Sequence, residues 1–388
     1  MENFIYSIPT KIAFGKGQVE RLPAMVREFG KKVLLVYGGG SIKRTGIYGT
    51  VTELLKENGI EYEELSGVEP NPRLSTVKRG VVVCQQTQVD VILPIGGGST
   101  IDCAKAIAAG TCYDGDPWDL VLDNDKIKEA LPIIAILTLS ATGSEMDTFA
   151  VITNDETQDK MDLDSPVLFP KYSVLDPTYT FSVPAYQTAS GTADIMSHVF
   201  EVYLNGNKPL QVQKGMMESI LKTCIQYGPY CCQNPEDYEG RANLMWASSW
   251  AINGFITSGV GAPWPCHAME HQLSAYYDVT HGHGLAILTP VWMEYILNEK
   301  TVDMFADYGV RVFGLDPSLP PMETAKKAIA ATKKVFDDMG LSDTLRSIGI
   351  TEKDKFREMA EKAVAGGLEF CQVPLTVEDV IAIYEKCF

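Results

Sequence analysis

The stretch D-V-I-L-P-I-G-G-G-S-T-I-D-C-A-K-A-I-A-A, residues 90–109, decides the fold. Asp90–Ile95 is a short apolar run of buried-strand type. Gly96, Gly97 and Gly98 break it, and Thr100–Ala109 continues as a helix of small residues. A strand, a glycine turn and a helix in succession make half of a βαβ unit. The alternation extends outward from there. Lys32–Gly38 (K-V-L-L-V-Y-G) reads as a buried strand, Thr50–Asn58 as a helix that Gly59 stops, Glu61–Leu65 as an edge strand and Leu74–Thr87 as a helix. Leu131–Thr138 and Tyr172–Leu175 are further strands. Strands alternating with helices predict a parallel, Rossmann-like sheet.

Beyond about residue 180 the strand-like runs give way to helical periodicity, as in Ala185–Leu204, Val212–Tyr227, Tyr238–Ser258, Met322–Met339 and Glu352–Ala365. The expected organisation is an α/β domain over residues 1–182 and an all-α domain over 183–388, joined near Pro177 to Pro184. With 388 residues, 45% hydrophobic and 21% charged, the chain is an ordinary globular sequence, which excludes disorder and collagen-like structure. The formal net charge of −17 disfavours nucleic acid and anionic membranes as partners. Nine cysteines, an odd number without a C-x-x-C pair, read as reduced thiols and predict a cytoplasmic protein. No signal peptide is visible in the N-terminal residues, and no apolar run reaches membrane-spanning length.

All five histidines, His198, His267, His271, His281 and His283, fall in the helical half. Asp194 and His198 are four residues apart on an expected helix, as are His267 and His271, so each pair shares a helix face. Carboxylate and imidazole ligands in this pattern suit one divalent metal, Fe²⁺ or Zn²⁺. Four protein ligands suffice, which leaves His271 and His283 as the ambiguous pair. His267–His271 also fits the H-x-x-E-H pattern of a zinc peptidase with Glu270 as base. That reading leaves the glycine loops unused.

Gly96–Thr100 lies between a strand and a helix, where glycines allow close approach and free N–H groups favour a pyrophosphate. It is not G-x-G-x-x-G. Gly38-Gly39-Gly40-Ser41 ends the preceding strand without the acid that holds the adenine ribose in many NAD enzymes. This glycine turn leaves room for a 2′-phosphate, with Ser41, Lys43 and Arg44 to bind it, and so favours NADP(H) while leaving NAD(H) open. Thr138–Glu145 is rich in hydroxyls. It either lines the nicotinamide and phosphate region or is a plain loop with Ser144 as a helix cap.

Taken in order, G-G-G-S-T-I-D (96–102), L-S-A-T-G-S-E (139–145), D-x-x-x-H (194–198), H-x-x-x-H (267–271) and H-G-x-G-L-A-I (281–287) resemble the iron-containing (group III) alcohol dehydrogenases over essentially the whole chain. Within that family, residues 36–44, 67–73 and 140–147 look most like bacterial butanol dehydrogenases and broad-range aldehyde reductases. The resemblance implies the dehydroquinate synthase-like, group III alcohol dehydrogenase architecture. It implies an NAD(P)H-linked, metal-dependent interconversion of short-chain aldehydes and primary alcohols, a homodimer, and no nucleic-acid or membrane partner. It implies metal ligation by Asp194, His198, His267 and His281, and a dinucleotide in the cleft between the domains. The dinucleotide contacts carried over by position are Gly38, Gly39, Gly40, Ser41, Asn71, Gly97, Gly98, Ser99, Asp102, Thr138, Ser140, Thr142 and Lys160. His271 matches a histidine near nicotinamide and substrate and is the expected catalytic residue. His283 has no ligand role. A polyol dehydrogenase of the same fold remains the near alternative, to be told apart by a more polar pocket than Phe149, Phe255 and Trp264 suggest.

Overall fold

The computed structural model describes residues 2–206 and 210–388. The chain forms two compact units, one α/β and one helical. The α/β unit comprises Ser7–Val183 and Pro235–Ser249, and the helical unit residues 2–6, Pro184–Asn234 and Trp250–Phe388. The main division falls beside the expected boundary at 182 and 183, but two segments differ from that expectation. Residues 2–6 join the helical unit, where Glu2 N donates to Gly259 O (3.1 Å) and Tyr6 packs edge-on against Phe255. Residues 235–249 join the α/β unit, where Met245 packs with Ile101, Leu137 and Leu175, and Trp246 meets Phe14. Sequence periodicity does not reveal this exchange, because one unbroken helix carries the chain through Ser249.

The α/β unit runs β1 (Lys11–Phe14), α1 (Leu22–Arg27), β2 (Lys32–Tyr37), α2 (Ser41–Arg44), α3 (Ile47–Glu57), β3 (Glu61–Ser66), α4 (Leu74–Thr87), β4 (Val91–Gly96), α5 (Gly98–Thr111), α6 (Trp118–Leu122), β5 (Ile134–Leu137), β6 (Phe149–Asn154), β7 (Asp159–Asp164) and β8 (Tyr172–Leu175). Six strands make a parallel sheet in the order β1-β8-β5-β4-β2-β3, and β6 pairs with β7 as an antiparallel hairpin. The apolar strands serve both faces. Leu34, Val36 and Ile92 enter a core with α4 and α5, while Val33, Leu35, Val91, Leu93 and Ile95 enter the opposite core with α1 and α3. A parallel sheet covered on both sides requires such continuous apolar runs. Pro94 lies within β4, and the ladder to β5 is interrupted there: Ile92 bridges Ile133, and pairing resumes at Ile95 with Ile136. Proline has no N–H to donate. The pairs Tyr37 with Ile95 and Gly96 with Leu137 bring the carboxyl ends of β2, β4 and β5 level.

The remaining helices are α7 (Ala185–Tyr203), α8 (Gln211–Gln233), α9 (Tyr238–Ile252), α10 (Pro265–Tyr277), α11 (His281–Ile296), α12 (Val302–Phe313), α13 (Pro321–Asp338), α14 (Phe356–Ala365) and α15 (Val377–Cys387). Helix α7 is buried from Thr188 to Tyr203. The H-G-x-G start of α11 lies against it. A Cβ on Gly282 would lie 1.9 Å from Ser190 O, and one on Gly284 would lie 2.8 Å from Glu270 Cγ. Glycine at these two positions lets the helices approach closely enough to converge their polar residues. Among the described residues no helix is long and apolar enough to cross a membrane.

Candidate active site

Helix α7 places Asp194, His198 and Glu201 on one face, at i, i+4 and i+7. Helix α10 supplies His267, Glu270 and His271, and the first residue of α11 is His281. Asp194 Oδ1 lies 3.6 Å from each of three Nε2 atoms, those of His198, His267 and His281. Donor atoms of Asp194, His267 and His281 all lie within 4.8 Å of one another. At 3.6 Å these are not hydrogen bonds, for which 2.7–3.2 Å is usual. The separation matches the edge of a cation's ligand shell, about 3.4 Å for ligands about 2.1 Å from a tetrahedral ion.

Asp194 Oδ1 and His267 Nε2 are buried without a hydrogen-bond partner, an arrangement that costs about 1–3 kcal/mol per group if nothing else satisfies it. The donor set, the spacing and these orphaned atoms fit a divalent cation. The cluster is closed at Asp194 and His198, which are 2% and 3% exposed, and half-buried at His271 and His281. Without a cation the electrostatics are strained. Burial opposes the charged form of Asp194, but the three imidazoles hold its carboxyl well below the ordinary range. Burial pushes His198 down to about 4. For His267 burial is outweighed by Glu201 and Asp194, which push it up to about 10.

Two glutamates orient two of the imidazoles, those of His267 and His281. Glu201 Oε1 accepts from His267 Nδ1 (2.5 Å) and Ser197 Oγ (2.9 Å), and its Oε2 accepts from the backbone N–H groups of Cys266 (2.7 Å) and His267 (3.2 Å). Glu270 accepts from His281 Nδ1 and from Ser274 Oγ (2.5 Å). A carboxylate only accepts, so the proton sits on Nδ1 of both rings, and each Nε2 lone pair faces the centre. Sequence reasoning missed Glu201. Its signal was a lone charge inside the apolar run V-F-E-V-Y, seven residues from Asp194. Glu270 is completely buried and committed to His281 and Ser274, which removes it as the base of an H-x-x-E-H peptidase.

His271 lies at the rim, its ring 5.5 Å from that of His281, with donor atoms of Glu270, His271 and His281 within 4.8 Å. His283 belongs elsewhere, since Nδ1 meets Tyr186 OH at 3.0 Å and Nε2 lies 3.1 Å from Asp343 Oδ2. Trp264, in the left-handed region at φ 50°, sets its ring edge-on to His198 and His267. Strained non-glycine positions of this kind gather at functional sites.

In the α/β unit the expected nucleotide residues lie on the turns after β2, β3, β4 and β5, in the first turns of α2 and α5, and on β7 of the hairpin. Gly38–Gly40 leads into α2, Gly97 leads into α5, and Thr138 N donates to Gly96 O (2.9 Å). A Cβ on Gly98 would lie 2.3 Å from Thr142 Oγ1, so this glycine serves the packing of the 138–147 loop. Gly39 and Gly40 face open space. Asn71 and Lys160, 89 residues apart, meet at 3.0 Å through Asn71 Oδ1 and Lys160 Nζ. Ser41 is exposed, and Ser99, Thr138, Ser140 and Thr142 are half-buried. Asp102 is a brace: Oδ1 accepts from Ser144 Oγ (2.6 Å) and Oδ2 from Val151 N (3.0 Å). Ser144 therefore serves Asp102, and no side-chain hydrogen bond caps the short turn it begins.

Beneath these loops lies a network that sequence reasoning also missed. Fully buried Lys105 donates to Asp147 Oδ1 (2.6 Å) and Phe149 O (2.7 Å), and buried Glu145 accepts from Ser249 Oγ (2.5 Å). A third cluster sits under the Gly38 turn. Glu64 accepts from Tyr37 OH and from Tyr48 OH (2.7 Å), with the Lys43 ammonium 3.8 Å away.

Residues 9–177 match the family of iron-containing alcohol dehydrogenases, and residues 188–388 match the C-terminal domain of the Fe-containing alcohol dehydrogenase family. The chain is 55% identical to NADH-dependent butanol dehydrogenase A of Clostridium acetobutylicum, over all of both proteins. It is 37% identical to the NADPH-dependent aldehyde reductase YqhD of Escherichia coli over 90% of each. The crystal structure of NADH-dependent butanol dehydrogenase A from Thermotoga maritima superposes with a TM-score of 0.94 at 38% identity, covering 100% of this chain and 99% of that one. The chain belongs to the iron-containing alcohol dehydrogenase family. It is an NAD(P)H-linked alcohol dehydrogenase and aldehyde reductase.

Proposed function

We propose that the chain reduces short-chain aldehydes of the butanal type to primary alcohols, and runs the reverse reaction, at one divalent cation, Fe²⁺ or Zn²⁺, ligated by Asp194, His198, His267 and His281. The observation that carries this reading is the single Asp194 oxygen 3.6 Å from three Nε2 atoms. When bound, the cation supplies Lewis acidity at the carbonyl oxygen and the nicotinamide supplies the hydride. Glu201 and Glu270 keep the Nδ1 protons of His267 and His281, so both Nε2 atoms stay ligands. His271, at the half-buried rim, is the proton donor to the product oxygen. Trp264 gives the rim an apolar wall, which supports a monohydric substrate over a polyol.

The dinucleotide lies along Gly38–Ser41, Asn71, Gly97–Ser99, Thr138, Ser140, Thr142 and Lys160, with Asp102 bracing the loops. The glycine turn leaves room for a 2′-phosphate, as expected for NADP(H). Lys43, one of its three expected binders, is however held by Glu64. That engagement and the NADH-dependent relative at 55% identity support NADH as the better cofactor. The same reading carries a homodimer in the cytoplasm, in keeping with nine cysteines that include no C-x-x-C pair.

The test is the rate of NADH and NADPH oxidation with butanal, before and after chelation, with Fe²⁺ or Zn²⁺ added back. The proposal expects chelator-sensitive turnover that one of the two metals restores. Full turnover in protein stripped of metal would refute the metal-dependent reading.

A further inference from the structure

The last residue of β2, Tyr37, is followed directly by the Gly38 turn. Its hydroxyl donates to Glu64 Oε2, and Tyr48 OH, from α3, donates to Glu64 Oε1 at 2.7 Å. Glu64 comes from the edge strand β3, in register with Leu35. Two phenols therefore fix both carboxylate oxygens. The Lys43 ammonium, on α2, closes the group. It lies 3.8 Å from Glu64 Oε2, 4.5 Å from the centre of the Tyr48 ring and 5.0 Å from that of Tyr37. The cation is thus held by one carboxylate and two aromatic faces, each of which favours it where it is. The turn above is tied to the same place, since Gly67 N donates to Gly38 O (3.2 Å) and Val68 N to Tyr37 O (3.2 Å).

We infer that Glu64 is a specificity-determining residue for the dinucleotide: by holding Lys43 between the rings of Tyr37 and Tyr48 beside the Gly38–Ser41 turn, it withholds that cation from a 2′-phosphate and directs the enzyme to NADH. The inference rests on the reading that the adenine ribose lies at this turn. An acid at the end of the strand usually selects NAD by bonding the ribose hydroxyls. Here the acid acts one strand further out and by a different route. It neutralises the cation that NADPH would recruit and leaves Ser41 and Arg44 to meet the phosphate. The arrangement explains how a glycine turn without its own acid can prefer NADH.

The test compares KM and kcat for NADH and NADPH, with butanal, in the metal-loaded wild type and in Glu64→Gln. Glutamine keeps an acceptor for one phenol and the shape of the side chain, so the cluster is retained while its charge is removed. The pair is partly exposed, so the effect is modest. KM for NADPH should fall about 2- to 5-fold, kcat should hold, and the gain should shrink as salt rises. Adding Lys43→Ala to Glu64→Gln should erase the gain. Gly39→Asp serves as the locating control. A Cβ there meets nothing within 4 Å, and a new carboxylate should weaken NADPH selectively. If Gly39→Asp shifts the NADPH/NADH ratio and Glu64→Gln does not, the Glu64 inference is overturned while the nucleotide reading stands. If neither shifts it, the ribose does not lie at this turn and both fall.

Discussion

The imidazole cluster of the helical unit and the proposed nucleotide region of the α/β unit are built on opposite principles. The imidazole cluster is made of side chains on three helices, and two buried glutamates fix the faces that His267 and His281 present. The nucleotide region is made of turns at the level ends of parallel strands, with half-buried hydroxyls and a glycine turn that faces open space. The first depends on side-chain protonation and tautomer, and one atom out of place removes a proposed ligand. The second depends on backbone shape, and Asp102 braces it by accepting from the Ser144 hydroxyl and the Val151 backbone N–H. Loss of a proposed ligand should therefore be all-or-none in the first region, and damage in the second should be graded.

The largest effect is expected from His267→Ala. It removes an Nε2 that faces Asp194 and should take metal content and activity to background together. Retained metal with lost activity would assign His267 to chemistry and not to ligation. Next is Glu201→Gln. Its amide nitrogen must face either His267 Nδ1 or the two backbone N–H groups of α10, and metal affinity should fall about 10- to 100-fold in chelator competition. An unchanged affinity would separate the orienting carboxylate from the metal.

In the nucleotide region, Gly98→Ala forces a methyl toward Thr142 and should cost about 1–3 kcal/mol of stability by overpacking, with a raised KM for the dinucleotide and normal metal content. Metal loss in that variant would break the proposed independence of the two regions.

The smallest effect concerns the buried acids. Burial pushes Asp147 up to about 7 from an ordinary 3.8, against the pull of Lys105, while Asp102 and Glu145 raise it further. The folded chain then keeps a proton that the unfolded chain releases, and that stabilisation is lost as pH rises from about 4 through 7. The melting temperature of Asp147→Asn should gain on the wild type between pH 5 and 7.5. A difference independent of pH would show Asp147 ionised beside Lys105 throughout.

Much of this was legible because the relevant patterns are local. Strands β2 and β4 announce themselves as apolar runs because a sheet covered on both faces demands it. Asp194 with His198 and His267 with His271 announce themselves by helical spacing. The hairpin β6–β7 did not, because its pattern is inverted: Lys160 is buried and Met161 is exposed, so alternation does not mark a core face. Glu201 and Lys105 were invisible as partners because their meaning depends on residues 66 and 42 positions away. The transfer of 235–249 to the α/β unit leaves no mark in a continuous helix.

The most direct measurement is anomalous diffraction at the metal absorption edge from crystals of the metal-loaded protein. Ligation as proposed gives one peak per chain, about 2.0–2.2 Å from Asp194 Oδ1 and from the Nε2 atoms of His198, His267 and His281. A peak held instead by Glu270 and His271, or none near Asp194 in an active enzyme, would contradict it.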